Sequence, residues 1–81
     1  MTKGDINMKY YVIEISEGDT KIAGKGVYEY ADRNKAIASF HKKMGTAMDS
    51  ELYTYEFVMV VNSAGGIEKE PDVYIKEVVE E

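Results

Sequence analysis

The stretch that decides the fold is Leu52-Tyr53-Thr54-Tyr55-Glu56-Phe57-Val58-Met59-Val60-Val61-Asn62. It is rich in aromatic and β-branched residues, and it is the strongest strand signal in the chain. Side chains alternate between the two faces of a strand. One face therefore carries aromatic residues together with Met59, and the other carries Val58 and Val60. The segment Asn62–Gly66 has glycines available for positive φ and predicts a turn into the next strand.

Three further strands are predicted on either side of this stretch. Aromatic and β-branched residues mark the first and the second, and the turn composition between them favours a hairpin. Proline cannot donate a backbone hydrogen bond, so Pro71 is expected to interrupt pairing just before the fourth strand. The three strands are Lys9–Ser16, Val27–Ala31 and Val73–Val79.

One helix is predicted between the two hairpins. Asp32 is a good N-cap, and apolar residues recur at helical spacing from Arg33 to about Met48. Gly45 weakens the last turn, so the helix is expected to end between Met44 and Met48. The apolar stripe consists of Ala36, Ile37, Phe40, Met44, Ala47 and Met48.

The order β-β-α-β-β predicts an α+β fold, in which a four-stranded antiparallel sheet carries one helix packed on one face. The chain of 81 residues has the length of a single domain, and residues 8–81 are expected to form it. Residues 1–7 precede the first patterned segment and are expected to be a disordered tail or an upstream extension.

Composition excludes several classes of function. The chain has no cysteine, which removes disulfide frameworks, thiolate zinc sites and cysteine nucleophiles. Its 15 acidic and 10 basic residues give a net charge of -5 with the one histidine neutral. This negative charge argues against general nucleic-acid binding and against adsorption to anionic membranes. No direct nucleic-acid binding, no membrane association and no cofactor are therefore expected.

The sheet is expected to expose an aromatic face. One helix covers one face and the other should then be polar, but both faces of this sheet are apolar. If Ile13, Phe57 and Ile75 face the helix, the opposite face is the surface that docks a partner protein or a second copy. The reverse choice leaves Tyr53 and Tyr55 outside. A plainer interpretation is that the tyrosines cap the core and keep their hydroxyls in water. The predicted interaction surface consists of Tyr10, Val12, Tyr28, Tyr30, Val58 and Val60.

Charge is unevenly distributed along the chain. The segment from Asp32 to Met48 holds four basic residues and one acidic residue, a sum of +3, which leaves -8 for the rest. Solvated faces that keep a small protein soluble are the favoured interpretation. The alternatives are electrostatic steering of a partner, and an acidic surface that mimics nucleic acid and inhibits a host defence protein.

No catalytic or metal-binding pattern is found, and the protein is not expected to be an enzyme. Histidine is the residue type suited to proton transfer near neutral pH, so His41 is a weak candidate for a site. It has no carboxylate partner within one helical turn, and it is expected to lie at the edge of the helix and pack its ring on the sheet. Glu68, Glu70 and Asp72 alternate in sequence but lack a calcium-loop pattern, and they are expected to form a solvated edge.

The segments Met8–Ile15, Ala38–Met48 and Leu52–Val60, with the turn Asn62–Gly66, resemble small uncharacterised proteins of prophages and mobile elements of Gram-positive gut bacteria. The most specific part is Phe40-His41-Lys42-Lys43-Met44-Gly45-Thr46-Ala47-Met48. The resemblance implies a phage or mobile-element origin, and with it a location in the cytoplasm of a bacterial host or in a virion. It assigns no site residue. The sequence thus predicts a non-catalytic protein–protein interaction module, with a homodimer as one form of it.

Overall fold

The computed structural model of the chain describes residues 8–18 and 24–76. Its elements are β1 (Tyr10–Gly18), β2 (Gly24–Tyr30), α1 (Arg33–Asp49), β3 (Tyr53–Asn62) and β4 (Ile67–Ile75). The four strands form one antiparallel sheet in the spatial order β2-β1-β3-β4, with α1 packed on one face. The predicted α+β fold is therefore confirmed. The predicted tail at 1–7 and the end of the predicted fourth strand at 77–79 lie outside the described residues.

The helix begins at a side chain and ends at a backbone N–H, and each satisfies a free backbone group of the helix. The Asp32 carboxylate accepts a 2.8 Å hydrogen bond from the backbone N–H of Asn34, as predicted for an N-cap. At the other end the N–H of Ser50 donates to the carbonyl of Thr46 at 3.0 Å. The helix runs through Gly45 to Asp49, one residue beyond the longer of the two predicted ends.

The hairpin between β3 and β4 closes on Asn62. The side-chain oxygen of Asn62 accepts hydrogen bonds from the N–H groups of Ala64 and Gly66, both at 2.9 Å, and Gly65 has a φ of 92°. β4 starts at Ile67, six residues before the predicted start, which corrects the boundary drawn from Pro71. The sheet accommodates the proline through a register shift instead of ending there.

That register shift is visible in the pairing of β3 with β4. Val58 is in register with Asp72, whereas Val60 is in register with Lys69, so β4 has an extra residue between these pairs. Pro71 lies inside this bulge, where its missing N–H costs no ladder hydrogen bond. The predicted interruption is thus confirmed as a local bulge in a continuous strand.

The hydrophobic core is small and lies between α1 and the two central strands. Phe40 is only 3% exposed and packs with the fully buried Val12, Val58 and Val60. Met48, which the periodicity placed in the apolar stripe, is instead 62% exposed at the end of the helix. The core consists of Val12, Ala36, Phe40, Met44, Ala47, Val58 and Val60.

Candidate functional site

The face of the sheet opposite α1 carries apolar side chains on all four strands, with the charged Lys25 and Glu29 of β2 at one edge. Residues in register share a face, so Tyr11 lies beside Val61, Ile13 beside Met59 and Ile15 beside Phe57. Within residues 8–18 and 24–76, no helix or strand packs against this side. We call it the open face; it consists of Tyr11, Ile13, Ile15, Val27, Tyr55, Phe57, Met59, Val61, Ile67, Val73 and Ile75.

Exposure on the open face rises from its centre to its edges. The side chains of β1 and β3 are partly shielded by their neighbours. On the edge strands Val27 is 66% exposed and Ile75 is 69% exposed. Isolated apolar residues on a surface are normal, but a contiguous apolar patch on a monomer is typical of an interaction site.

The predicted interaction surface lies on the other face of the sheet, and this part of the prediction is wrong. Val12, Val58 and Val60 are fully buried beneath α1. Tyr10 and Tyr30 are half-buried against the same core, and Tyr28 is 40% exposed beside the helix.

The size of the side chains explains which face the helix covers. Beneath α1 the central strands present Val12, Val58 and Val60, which leave room for Phe40 and Met44 to enter between helix and sheet. The opposite face carries longer side chains that would hold a helix further away. The alternative that left Tyr53 and Tyr55 outside is confirmed for Tyr55, whereas Tyr53 borders a cleft between α1 and the sheet.

The helix-covered face contains a cluster of polar side chains that the sequence analysis did not identify. Glu56 is fully buried, and Ser16 is 7% exposed. The Ser16 hydroxyl donates to Oε1 of Glu56 and lies 3.3 Å from Oε2 of Glu14. The Lys43 ammonium, from α1, lies 3.3 Å from Oε1 of Glu14 and 3.8 Å above the ring of Tyr28. We call Glu14, Ser16, Glu56 and Lys43 the buried carboxyl cluster.

The two carboxyl groups of this cluster have different affinities for a proton. Burial is the main cause that raises the pKa of Glu56 to about 8, and the hydrogen bond and charge of Glu14 add to it. Burial alone would also raise the pKa of Glu14, but the hydrogen bond with Glu56 and the Lys43 ammonium outweigh it and lower that pKa. Near neutral pH, Glu56 therefore holds a proton beside an ionised Glu14.

One oxygen of Glu56 is left without a partner. Among the described residues, Oε2 of Glu56 is buried and accepts no hydrogen bond. A buried oxygen without a hydrogen-bond partner costs far less free energy on a neutral acid than on a carboxylate. The missing partner therefore favours the protonated form of Glu56, as burial does. Glu56 has no exposed surface, so a substrate could reach it only if α1 moved away from the sheet.

A cleft of about 360 Å³ lies beside this cluster, between α1 and the sheet. Burial first, and then the charges of Glu56 and Glu14, raise the pKa of Tyr53, which also borders the cleft. The Lys43 ammonium serves as the counter-ion of Glu14 at the border of this cleft. The cleft is lined by Glu14, Tyr30, Ser39, Lys42, Lys43, Thr46 and Tyr53.

The sequence did carry a signal for the cluster. Glu14 lies between Val12 and Ser16 on one face of β1, and Glu56 shares its face of β3 with Val58 and Val60. A single carboxylate in the apolar face of a strong strand is unusual, because an unpaired buried charge is costly. The sequence could not identify Lys43 as the partner, because Lys43 reaches Glu14 only through the packing of the helix on the sheet.

His41, the weak sequence candidate, is exposed at the edge of α1. Its position at the helix edge is as predicted, but its ring meets that of its helix neighbour Phe40 edge-on, with centroids 5.2 Å apart at 88°, instead of packing on the sheet. Together with Glu70 and Asp72 it borders a second cleft, of about 430 Å³, between α1 and β4. No hydrogen bond or ion pair links His41 to these carboxylates among the described residues.

The acidic residues of β4 do not converge on a metal site. Glu68 pairs with Arg33 at 2.7 Å and accepts a 2.7 Å hydrogen bond from Asn62, and these contacts lower the pKa of Glu68. Over residues 8–18 and 24–76, no group of three or more histidine or acidic side chains is arranged to hold a metal ion. Nor is any helix in the described part long and apolar enough to cross a membrane.

Comparison of the chain with protein-family models, with curated proteins and with solved structures gives no match. The function therefore has to be inferred from the open face and from the buried carboxyl cluster.

Proposed function

We propose that the protein is a non-catalytic interaction module that binds another protein surface through its open face. The observation that supports this most is the continuity of that face. In the two central strands it carries aromatic, aliphatic and methionine side chains only, from Tyr11 to Ile15 and from Tyr55 to Val61. Such a surface resembles a core that lacks its second layer more than it resembles a solvated sheet.

The energetics of the face agree with this function. Fully burying one exposed large apolar side chain contributes about 1.5–3 kcal/mol. The exposed apolar side chains at the edges of the face are those that gain most from a partner: Val27, Ile67, Val73 and Ile75. Aromatic residues and methionine are also the types enriched in interfaces, and the face holds Tyr11, Tyr55, Phe57 and Met59.

The core on the helix side gives a second reason. It contains one aromatic residue, Phe40, and one of its largest fully buried side chains is the acid Glu56. A domain of this size has little apolar area to spare, so covering the open face with another protein would add stability that the monomer lacks. The phage or mobile-element origin implied by the sequence resemblance is compatible with a small binding protein of this kind and stays part of the proposal.

Labelling of a single cysteine tests this proposal, since the chain has none of its own. Met59→Cys places a thiol at the centre of the open face, and Ala38→Cys places one on the exposed side of α1 as a control. In a dilute, monomeric sample we expect a thiol reagent to modify both variants, with Met59→Cys the slower of the two because its neighbours partly shield it. If the thiol of Met59→Cys were protected while the chain is monomeric, the chain would cover its own face and the proposal would be wrong.

A further inference from the structure

We infer that the protein covering the open face is a second copy of this chain, an inference that rests on the proposed function. The first reason is a two-fold pattern in the residues of the face. Ile13 is in register with Val27 on one side and with Met59 on the other, so these three residues form a row across the sheet. Each of the two neighbouring rows pairs an aromatic residue with an aliphatic one: Tyr11 with Val61 in one row, and Phe57 with Ile15 in the other.

Opposite charges lie at equal distances from this central row. On β2, Glu29 is in register with Tyr11 and Lys25 with Ile15, so both side chains point to the open side of the sheet. Each is two residues from Val27, which is about 7 Å along a strand. Both are exposed, and Glu29 makes only a loose ion pair with Lys9, at 3.6 Å.

One symmetry operation makes these features complementary. A two-fold axis along the central row, midway between two facing sheets, reverses the strands and places β2 of one copy over β2 of the other. Glu29 of each copy then lies over Lys25 of the other copy, twice in the dimer, while Tyr11 lies over Ile15. An axis parallel to the strands would instead place β2 over β4 and would leave both charges without partners.

The area of the face is sufficient for a stable pair. Strands are about 4.8 Å apart and rise about 3.4 Å per residue, so four strands of some seven residues give a flat footprint of about 450 Å². The relief of the side chains makes the accessible area larger than this footprint. Two copies together therefore reach the roughly 1,000 Å² that a specific interface requires.

The resulting dimer has four layers, helix–sheet–sheet–helix, with the sheets about 10 Å apart as in other aligned sheet packings. Its interior would hold the longer apolar side chains that α1 leaves uncovered. A closed two-fold pair of this kind uses the same patch on both copies and forms no open-ended assembly.

Charge reversal tests this arrangement on the full chain. We expect a dimer by sedimentation equilibrium, and we expect Lys25→Glu and Glu29→Lys each to weaken it about tenfold, since each replaces two edge ion pairs with two repulsions. The double variant restores both pairs with reversed sign and should recover most of the wild-type affinity. Lys35→Glu on α1 and Glu51→Lys after it make the same changes of net charge away from the interface and serve as matched controls.

The possible outcomes separate this inference from the proposed function. A chain that stays monomeric at high micromolar concentration, with the thiol of Met59→Cys still reactive, would overturn the second copy and leave the interaction module in place. Protection of that thiol in a monomer would overturn both. A dimer in which the double charge reversal gives no recovery would overturn the two-fold arrangement. Circular dichroism confirms that each variant is folded, which is expected because both charges are exposed.

Discussion

The protonated state of Glu56 makes the stability of this protein depend on pH in an unusual direction. The pKa of Glu56 is about 8 in the folded chain, against an ordinary value of 4.5. Between these two values the folded state holds a proton that the unfolded state has released. The free energy of unfolding must therefore fall as pH rises through this window, because stability rises with pH only where the unfolded state binds more protons.

The size of the effect follows from the shift. One pKa unit corresponds to about 1.4 kcal/mol, so an increase from pH 6 to pH 9 should remove about 3 kcal/mol of stability, with the loss complete above pH 8. The lowered pKa of Glu14 acts in the opposite direction, but only below its ordinary value of 4.5, outside this window. A domain of this length has a total stability of roughly 4–12 kcal/mol, so the change is large.

Glu56→Gln is the perturbation that isolates this effect. The amide has the shape of the protonated acid and cannot ionise, so the variant should stay close to the wild type at pH 6 and keep its stability at pH 9. Urea unfolding at fixed protein concentration, repeated at each pH, measures the difference. In thermal unfolding the same 3 kcal/mol corresponds to a shift in Tm of roughly 12–24 °C. Fixed concentration matters because self-association would also change the apparent stability.

Glu51→Gln is the matched control, since it removes an exposed carboxylate from the segment after α1. This variant should keep the pH dependence of the wild type. A wild-type stability that is constant or rises between pH 6 and pH 9 would refute the reasoning. So would a Glu56→Gln variant that loses stability over this range as steeply as the wild type.

Three other predictions concern substitutions of single residues in the described structure. Lys43→Met should lower the free energy of unfolding by about 1–3 kcal/mol at pH 7, because it leaves the half-buried carboxylate of Glu14 without its counter-ion. Lys42 is exposed, so Lys42→Met should lower the free energy of unfolding far less. Equal losses from the two variants would contradict a stabilising ion pair between Lys43 and Glu14. Gly45→Ala should raise the free energy of unfolding by about 0.5–1 kcal/mol, because its added Cβ meets no atom within 4 Å apart from the neighbouring backbone of the helix itself. Gly65→Ala should lower it by about 1–2 kcal/mol, because the φ of 92° disfavours any side chain; urea unfolding compares the two, and changes of the same sign would contradict the backbone assignment.

Local signals in the sequence were enough for the order of elements. Asp32 could be identified as the N-cap because a short acidic side chain before a helical pattern is specific to that position. The strands followed from β-branched and aromatic residues, whose preference is also local. Pro71 was informative about pairing but not about strand length, because the tolerance of a bulge depends on the partner strand.

The side of the sheet that the helix covers could not be read from the sequence. Apolar residues occur on both faces of β1 and β3. The sequence pattern therefore predicted two apolar faces and did not indicate which of them the helix covers. The helix packs on the face with the smaller residues, such as Val58, and not on the face with Phe57 and Met59. Because the helix covers that face, the candidate interaction surface lies on the opposite side of the sheet from the one predicted.

The sequence by itself determined the α+β class and the order of the five elements. It also determined that the sheet has two apolar faces and that one helix can cover only one of them. Those properties depend on residues close together in the chain, whose preferences act whatever lies around them. Only the tertiary structure decided which face stays open, and only it brought Glu14, Ser16, Glu56 and Lys43 together from β1, β3 and α1. The physical reason is that burial and charge pairing depend on distances between elements, and those distances are set by how the side chains of helix and sheet fit together.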